Sequence, residues 1–239
     1  MSIALRARGV RAVLLDIEGT TTPIAFVHDV LFPFAREHLH DYVSDSRHAA
    51  SLTEVANLLA PEHAEDLARG GRPPALVERY ARWLMDRDRK SPGLKLLQGY
   101  IWEQGYRSGR LQGEVFDDVV PAMQRWHDEG IAIAIYSSGS ALAQRLLFES
   151  TPAGDVTPLL CGFFDTAVGA KTAPASYVSI AASLGYLVNE VLFISDVAAE
   201  LNAAREAGLP VLLSIRPGNP PQPGAEVFES VESFAAILT

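Results

Sequence analysis

The stretch "RAVLLDIEGTTTPI", residues 11–24, decides how the rest of the chain is read. Its apolar run, Ala12 to Leu15, has no polar alternation and so reads as a strand buried on both faces. The run ends on Asp16 and Glu18, two carboxylates two residues apart, followed by Gly19 and three threonines. Acids this close repel each other unless something positive lies between them. The stretch therefore predicts a buried strand with a charged site at its end.

Further strands follow the same pattern. "IAIAIYSSG" (131–139) precedes the helix-forming "SALAQRLLF", and "VLFISD" (191–196) precedes "VAAELNAAREAG". Gly208 closes that alanine-rich helix, and "PVLLSI" (210–215) comes directly after it. Continuous apolar strands alternating with helices predict an α/β fold, a doubly wound, Rossmann-like parallel sheet. Between 24 and 115 the texture changes. Val27, Val30, Leu31, Phe34, His38, Leu39 and Tyr42 recur at helical spacing, as do Val77, Tyr80, Ala81, Leu84 and then Leu94, Leu97, Ile101. "GGRPP" (70–74) and "SPG" (91–93) read as turns. The expected organisation is a core of 1–23 and 116–239 with a helical insert, 24–115. Pro121 and Gly130 bracket the helix that resumes the core. "RPGNPPQPG" (216–224) reads as a loop, and "SVESFAAIL" (230–238) as a short closing helix.

The bulk composition excludes several classes. The 239 residues carry a formal net charge of -9, which argues against a nucleic-acid partner. A small anionic substrate responds to the local field and is not excluded. With 48% hydrophobic and 21% charged residues, the chain has the balance of a soluble globular protein. The one cysteine, Cys161, forms no intramolecular disulfide and suits a reducing compartment; its apolar setting "TPLLCGFFD" reads as a buried, inert thiol. The apolar run behind Arg6, Arg8 and Arg11 stops at Asp16, too short for a signal sequence. No stretch approaches the ~20 apolar residues of a membrane helix. A cytoplasmic monomer with no membrane partner is the expectation.

Ligands of parallel sheets bind beyond the carboxyl ends of the strands, near the reversal of strand order. Those ends carry Asp16 and Glu18, then Ser137 and Ser138, then Asp196 with Glu200 four residues on. Lys171 stands just ahead of a helix whose apolar face is Tyr177, Ile180, Ala181 and Leu184. Singly, each has a plain reading. Asp16, Asp196 or Ser138 serves as a helix cap, and a lone lysine is a solvated surface group. Together, clustered acids require a cation, and oxygen donors point to Mg²⁺. The serines and the lysine supply donors for phosphate oxygens. The set asks for phosphoryl transfer, with Asp16 as nucleophile, Glu18 as acid–base residue and a metal between nucleophile and substrate. In an extended segment, residues two apart project to the same side, so both carboxylates reach one phosphorus.

These stretches resemble the signature motifs of the haloacid dehalogenase-like superfamily, whose phosphatases use an aspartate nucleophile and Mg²⁺. Its first motif, Asp-x-Asp-x-Thr, reads "DIEGT" here, with Glu18 in the second acidic place. Ser137 matches the second motif, Lys171 the third, and Asp196 with Glu200 the fourth. Many members carry a cap domain where the helical insert stands. The glutamate, within "LLDIEGTTTPIAFVHDVLFPF", together with "YSSGS", "FDT..GAK" and "SIRPGNP", is similar to the enolase-phosphatase family of methionine salvage. That resemblance implies enolisation of 2,3-diketo-5-methylthiopentyl-1-phosphate and then dephosphorylation to the acireductone 1,2-dihydroxy-3-keto-5-methylthiopentene. It implies Mg²⁺ held by Asp16, position 18 and Asp196, with superfamily members using the backbone carbonyl at position 18. Ser137, Ser138 and Lys171 would bind phosphate or enolate, and Glu200 would orient a metal-bound water. The base for enolisation stays open, with Glu18 a candidate by reach. His28, Tyr106 and Arg107 are open as substrate contacts. A generic capped phosphatase and, in another class, a phospho-accepting receiver domain are the rival readings.

Overall fold

The computed structural model describes residues 3–239; Met1 and Ser2, the first residues of the expected core segment, lie outside them. The strands are β1 (Ile3–Ala4), β2 (Ala12–Leu15), β3 (Ala132–Tyr136), β4 (Gly162–Phe164), β5 (Val191–Ser195), β6 (Val211–Ser214), β7 (Ser230–Val231) and β8 (Ile237–Leu238). β2 to β7 form one sheet in the order β4-β3-β2-β5-β6-β7, every pair parallel. Counted from β2, that is the 3-2-1-4-5-6 order of a Rossmann sheet. β2 lies between β3 and β5: Leu15 is in register with Ile135 on one side and Ile194 on the other. All of β2 and β5 is buried, which is why these strands had to be continuous apolar runs.

By contact clustering the chain forms two compact units, one made of residues up to Val27 with Gln112–Thr239, the other His28–Leu111. A π-helix, Phe26–Leu31, leads into the second unit, which contains α1 (Phe32–Glu37), α2 (Leu39–Ser44), α3 (Ala49–Ala68), α4 (Val77–Met85) and α5 (Pro92–Arg107). Tyr80, Ala81 and Leu84 of α4 and Leu94, Leu97 and Ile101 of α5 are buried, as their spacing requires. The first unit carries α6 (Val119–Asp128), α7 (Ala141–Glu149), α8 (Pro174–Leu184) and α9 (Ala198–Glu206). Tyr177 and Ile180 of α8 and Leu201 of α9 pack with Leu14, Tyr136 and Phe193 on one face of the sheet. Each such side chain contributes about 1.5–3 kcal/mol by leaving water. Trp126 of α6 is fully buried and donates to the Ile237 carbonyl at 3.1 Å. Among the described residues, no helix is long and apolar enough to cross a membrane.

Several expectations need correction. "SPG" starts a helix instead of making a turn: Ser91 accepts from the Leu94 N–H at 3.1 Å and Pro92 takes the first helical position. Gly93 is inside α5 because a Cβ there would lie 2.6 Å from Leu59 Cδ2. The 20-residue α3 gave no clear periodic signal, and it carries Pro61 in its interior. The expected closing helix does not form. Val231 pairs with Ser214 at the sheet edge, Ile237 pairs with Ile3, and Ser233 caps only a 3₁₀ turn between them. Sheet edges satisfy these backbone groups better than a nine-residue helix would. Cys161 is exposed, not buried, because it precedes the edge strand β4, whose residues are all half-buried. Burial of its sulfur still raises the thiol pKa, which lowers the thiolate fraction at neutral pH.

Candidate active site

Immediately after β2 the backbone folds into a tight turn. The Ile17 carbonyl accepts the N–H groups of Thr20, Thr21 and Thr22 at 2.9–3.1 Å, and Glu18 bridges to Thr22. The extended geometry expected to align Asp16 with Glu18 therefore lasts only to Glu18, which is half-buried. The Thr21 hydroxyl donates to the Asp16 carbonyl at 3.1 Å. Gly19 has φ +70°, and a Cβ on it would stand 2.3 Å from Asp196 Oδ2. Only glycine fits, which accounts for the fourth residue of "DIEGT".

Lys171 joins the acids. Its Nζ lies 2.6 Å from both Asp16 Oδ1 and Glu200 Oε2, and the side chain is 8% exposed. The Tyr177 hydroxyl fixes the lysine's backbone by donating to its carbonyl at 2.6 Å. Asp16 Oδ1 also accepts the Ile17 N–H at 2.8 Å. Ser195 Oγ lies 3.2 Å from Asp16 Oδ2 and 3.0 Å from Glu200 Oε2, and accepts from the Val197 N–H. Asp196 Oδ2 accepts from Asn219 Nδ2 at 3.3 Å, while Asp196 Oδ1 is buried without a partner.

The charges do not balance. Burial disfavours the Lys171 ammonium, but Asp16 and Glu200 outweigh it and raise the amine. Burial, with Asp16 and Glu200 beside it, pushes Asp196 up to about 7. Burial and the Asp16 charge likewise push Glu200 up to about 7, against the pull of Lys171. Three clustered acids, two of them buried, face one ammonium, an imbalance that a bound cation would relieve. Among the described residues, no group of three His, Cys, Asp or Glu side chains is arranged to hold a metal alone. Mg²⁺ does not need one: it takes one or two carboxylates and completes its shell with water and phosphate oxygens. The unpartnered Asp196 oxygen fits that role.

The other expected residues sit as follows. Ser137 is buried at the end of β3, where its N–H donates to Phe164 and its Oγ accepts from the Gly139 N–H at 3.2 Å. Ser138 is exposed. Among the described residues neither serine hydrogen-bonds to the Asp16–Lys171 cluster. Glu200, expected to orient a water, here holds Lys171 and Ser195. His28 is exposed with its ring edge-on to Phe32, Arg107 pairs with Glu103, and the buried Tyr106 hydroxyl has no partner.

Three residues went unread in the sequence. Ser195 looked like the last residue of a strand, though its place beside Asp196 was a usable signal. Arg216 and Asn219 lay hidden in the proline-rich loop. Arg216 Nε donates to the Thr20 carbonyl at 3.0 Å and its Nη1 contacts both Asp118 oxygens at 2.8–3.0 Å. Its guanidinium stands between the Phe116 and Phe234 rings, 4.6 and 4.5 Å from their centroids.

A family model described as haloacid dehalogenase-like hydrolase matches residues 10–208. "Enolase-phosphatase E1" of Synechococcus elongatus is 50% identical over 215 residues, 88% of this chain and 90% of that protein. A Populus trichocarpa protein named "Probable bifunctional methylthioribulose-1-phosphate dehydratase/enolase-phosphatase E1" is 45% identical over 95% of this chain, which spans 47% of its length. The crystal structure of the Unknown transcript 4 protein of Saccharomyces cerevisiae superposes with a TM-score of 0.75 at 34% identity, covering 94% of this chain and 98% of that one. The sheet order, the acid–lysine cluster and these similarities agree: the chain belongs to the haloacid dehalogenase-like hydrolases and, among them, to the enolase-phosphatase E1 family.

Proposed function

We propose that this enzyme enolises 2,3-diketo-5-methylthiopentyl-1-phosphate and then removes its phosphate, releasing the acireductone 1,2-dihydroxy-3-keto-5-methylthiopentene. The observation that carries the site assignment is Lys171 held 2.6 Å from both Asp16 and Glu200 beside an unpartnered buried oxygen of Asp196. An Asp16 oxygen attacks phosphorus while the bond to the substrate oxygen breaks. Glu18 protonates that leaving oxygen. Water then attacks the aspartyl phosphate, giving its proton to Glu18, and inorganic phosphate leaves with Asp16 restored. Ser137 and Ser138 bind the phosphate or the enolate. Lys171, oriented by Glu200, pairs with the transferring phosphoryl charge.

The Asp16 and Asp196 carboxylates and the Glu18 backbone carbonyl would hold Mg²⁺, which would offset the repulsion between substrate and nucleophile. Residues 1–23 and 116–239 serve as catalytic core and 24–115 as cap. A cytoplasmic monomer is part of the same proposal, supported by a single cysteine that suits a reducing compartment.

The test is phosphate release from the diketo phosphate, with Mg²⁺ or with excess chelator, alongside acireductone absorbance. Asp16→Asn is expected to lower release by on the order of 10³-fold or more. Release that survives the chelator or the substitution would overturn the mechanism. Hydrolysis of other small phosphates but not this one would overturn the substrate.

A further inference from the structure

The loop after β6 contains "RPGN", residues 216–219. Proline second and glycine third are what a type II turn requires, since its third residue needs positive φ. Gly218 has φ +88°, and the Asn219 N–H closes the turn on the Arg216 carbonyl at 3.1 Å. The two ends of this turn meet two successive carbonyls of the nucleophile turn. Arg216 Nε donates to Thr20 O at 3.0 Å, and Asn219 Nδ2 donates to Gly19 O at 2.8 Å. The first end is anchored, because Arg216 is 5% exposed and bound to Asp118 and to the Glu232 carbonyl.

The second end reaches the chemistry. Asn219 Nδ2 faces two acceptors, Gly19 O and Asp196 Oδ2, so the amide has one sensible orientation: nitrogen inward to both. This occupies one oxygen of Asp196 and leaves Oδ1, buried and unpartnered, as the free one. Gly19, Asp196 and Asn219 are packed so closely that a Cβ on Gly19 would stand 2.3 Å from the carboxylate and 3.0 Å from the amide nitrogen.

We propose that Asn219 is a positioning residue of this site, delivered by the "RPGN" turn to fix the Asp196 carboxylate and the nucleophile turn in one arrangement. Without the amide, Asp196 turns about its Cβ–Cγ bond and Gly19 O loses its donor, so a divalent cation meets an unorganised ligand. The inference rests on the cation reading given above, and its test separates the two.

Mg²⁺ is titrated calorimetrically into the full chain as wild type, Asn219→Ala and Asn219→Leu, with thermal melts alongside. Leucine keeps the branching and heavy-atom count of asparagine and removes the donor. The expected result is wild-type binding, with affinity weakened about 10–100-fold in both variants while the melts stay within a few degrees. kcat should fall more than KM rises. A folded Asn219 variant that binds Mg²⁺ within twofold of wild type would overturn the proposal. So would failure of both variants to fold, which would make Asn219 a folding residue. A wild type that takes up no Mg²⁺ would overturn the cation reading itself.

Discussion

Two buried ionic clusters in the same unit are built from the same groups and finished differently. At Asp118 the carboxylate is satisfied, although Arg216 Nη2 beside it is buried between rings without a hydrogen-bond partner. Burial pushes the Asp118 carboxyl up, but Arg216, the Phe234 N–H and the Ser233 hydroxyl together hold it below the ordinary range. Asp16, Asp196 and Glu200 stay unsatisfied, with one lysine, two acids at about 7 and an unpartnered oxygen. A satisfied cluster stabilises the fold, whereas an unsatisfied one leaves room for a ligand. The difference lies in the number of donors and in burial, since Asp118 is half-buried whereas Asp16 and Asp196 are buried.

The widest separation between the clusters should come from removing one acid from each. Asp118→Ala strands a buried guanidinium, at a cost of about 3–5 kcal/mol. The midpoint of thermal unfolding should fall by roughly 10 °C, while the folded fraction still hydrolyses substrate. Cation-free Asp16→Asn should do the reverse, melting no earlier than wild type with activity gone. Equal melting losses in both variants would erase the contrast.

The pH response should differ in sign. Asp196 and Glu200 have folded pKa values above their unfolded ones, so their contribution is present at about pH 4 and is lost as pH rises through about 7. Cation-free melts should therefore drop between those limits, and Mg²⁺ should remove the drop. Asp118, with its pKa lowered, contributes above the ordinary carboxylate range and loses that contribution on acidification. A cation-free melting curve flat from pH 4 to 8 would refute the first half.

The smallest effect concerns the turn that links the two clusters. Gly218→Ala forces an alanine to φ +88° and should cost about 1–2 kcal/mol, read as a melting shift of a few degrees. Its Mg²⁺ affinity should drop along with stability, because Arg216 and Asn219 lie at the turn's two ends. Unchanged affinity would uncouple the turn from the site.

The sequence was legible where one local signal sufficed. β2, β3, β5 and β6 are covered on both faces, so their apolar runs stood out. β1, β4, β7 and β8 are two or three residues long and exist through their pairing partners, which no local pattern reveals. The helix α3 was hidden by Pro61. In the site, Asp16, Asp196 and Glu200 were found because strand ends are where ligands bind, and Lys171 because it stands just ahead of a helix beside them in the set. Ser195 and Asn219 escaped because their roles depend on which acid oxygen stands opposite them, a fact of tertiary geometry.

β2 lies between β3 and β5 in the sheet, yet it is the first of the three to leave the ribosome. Its neighbour β3 begins only at Ala132, after the whole helical unit has been made. At about 5–20 residues per second, the four apolar residues of β2 wait several seconds or more for one partner and longer for the other. Asp16 at its end is thus assembled last, even though it is synthesised first. Destabilising the helical insert would prolong that exposure, and the loss would show as poor yield from cells rather than as a slower enzyme.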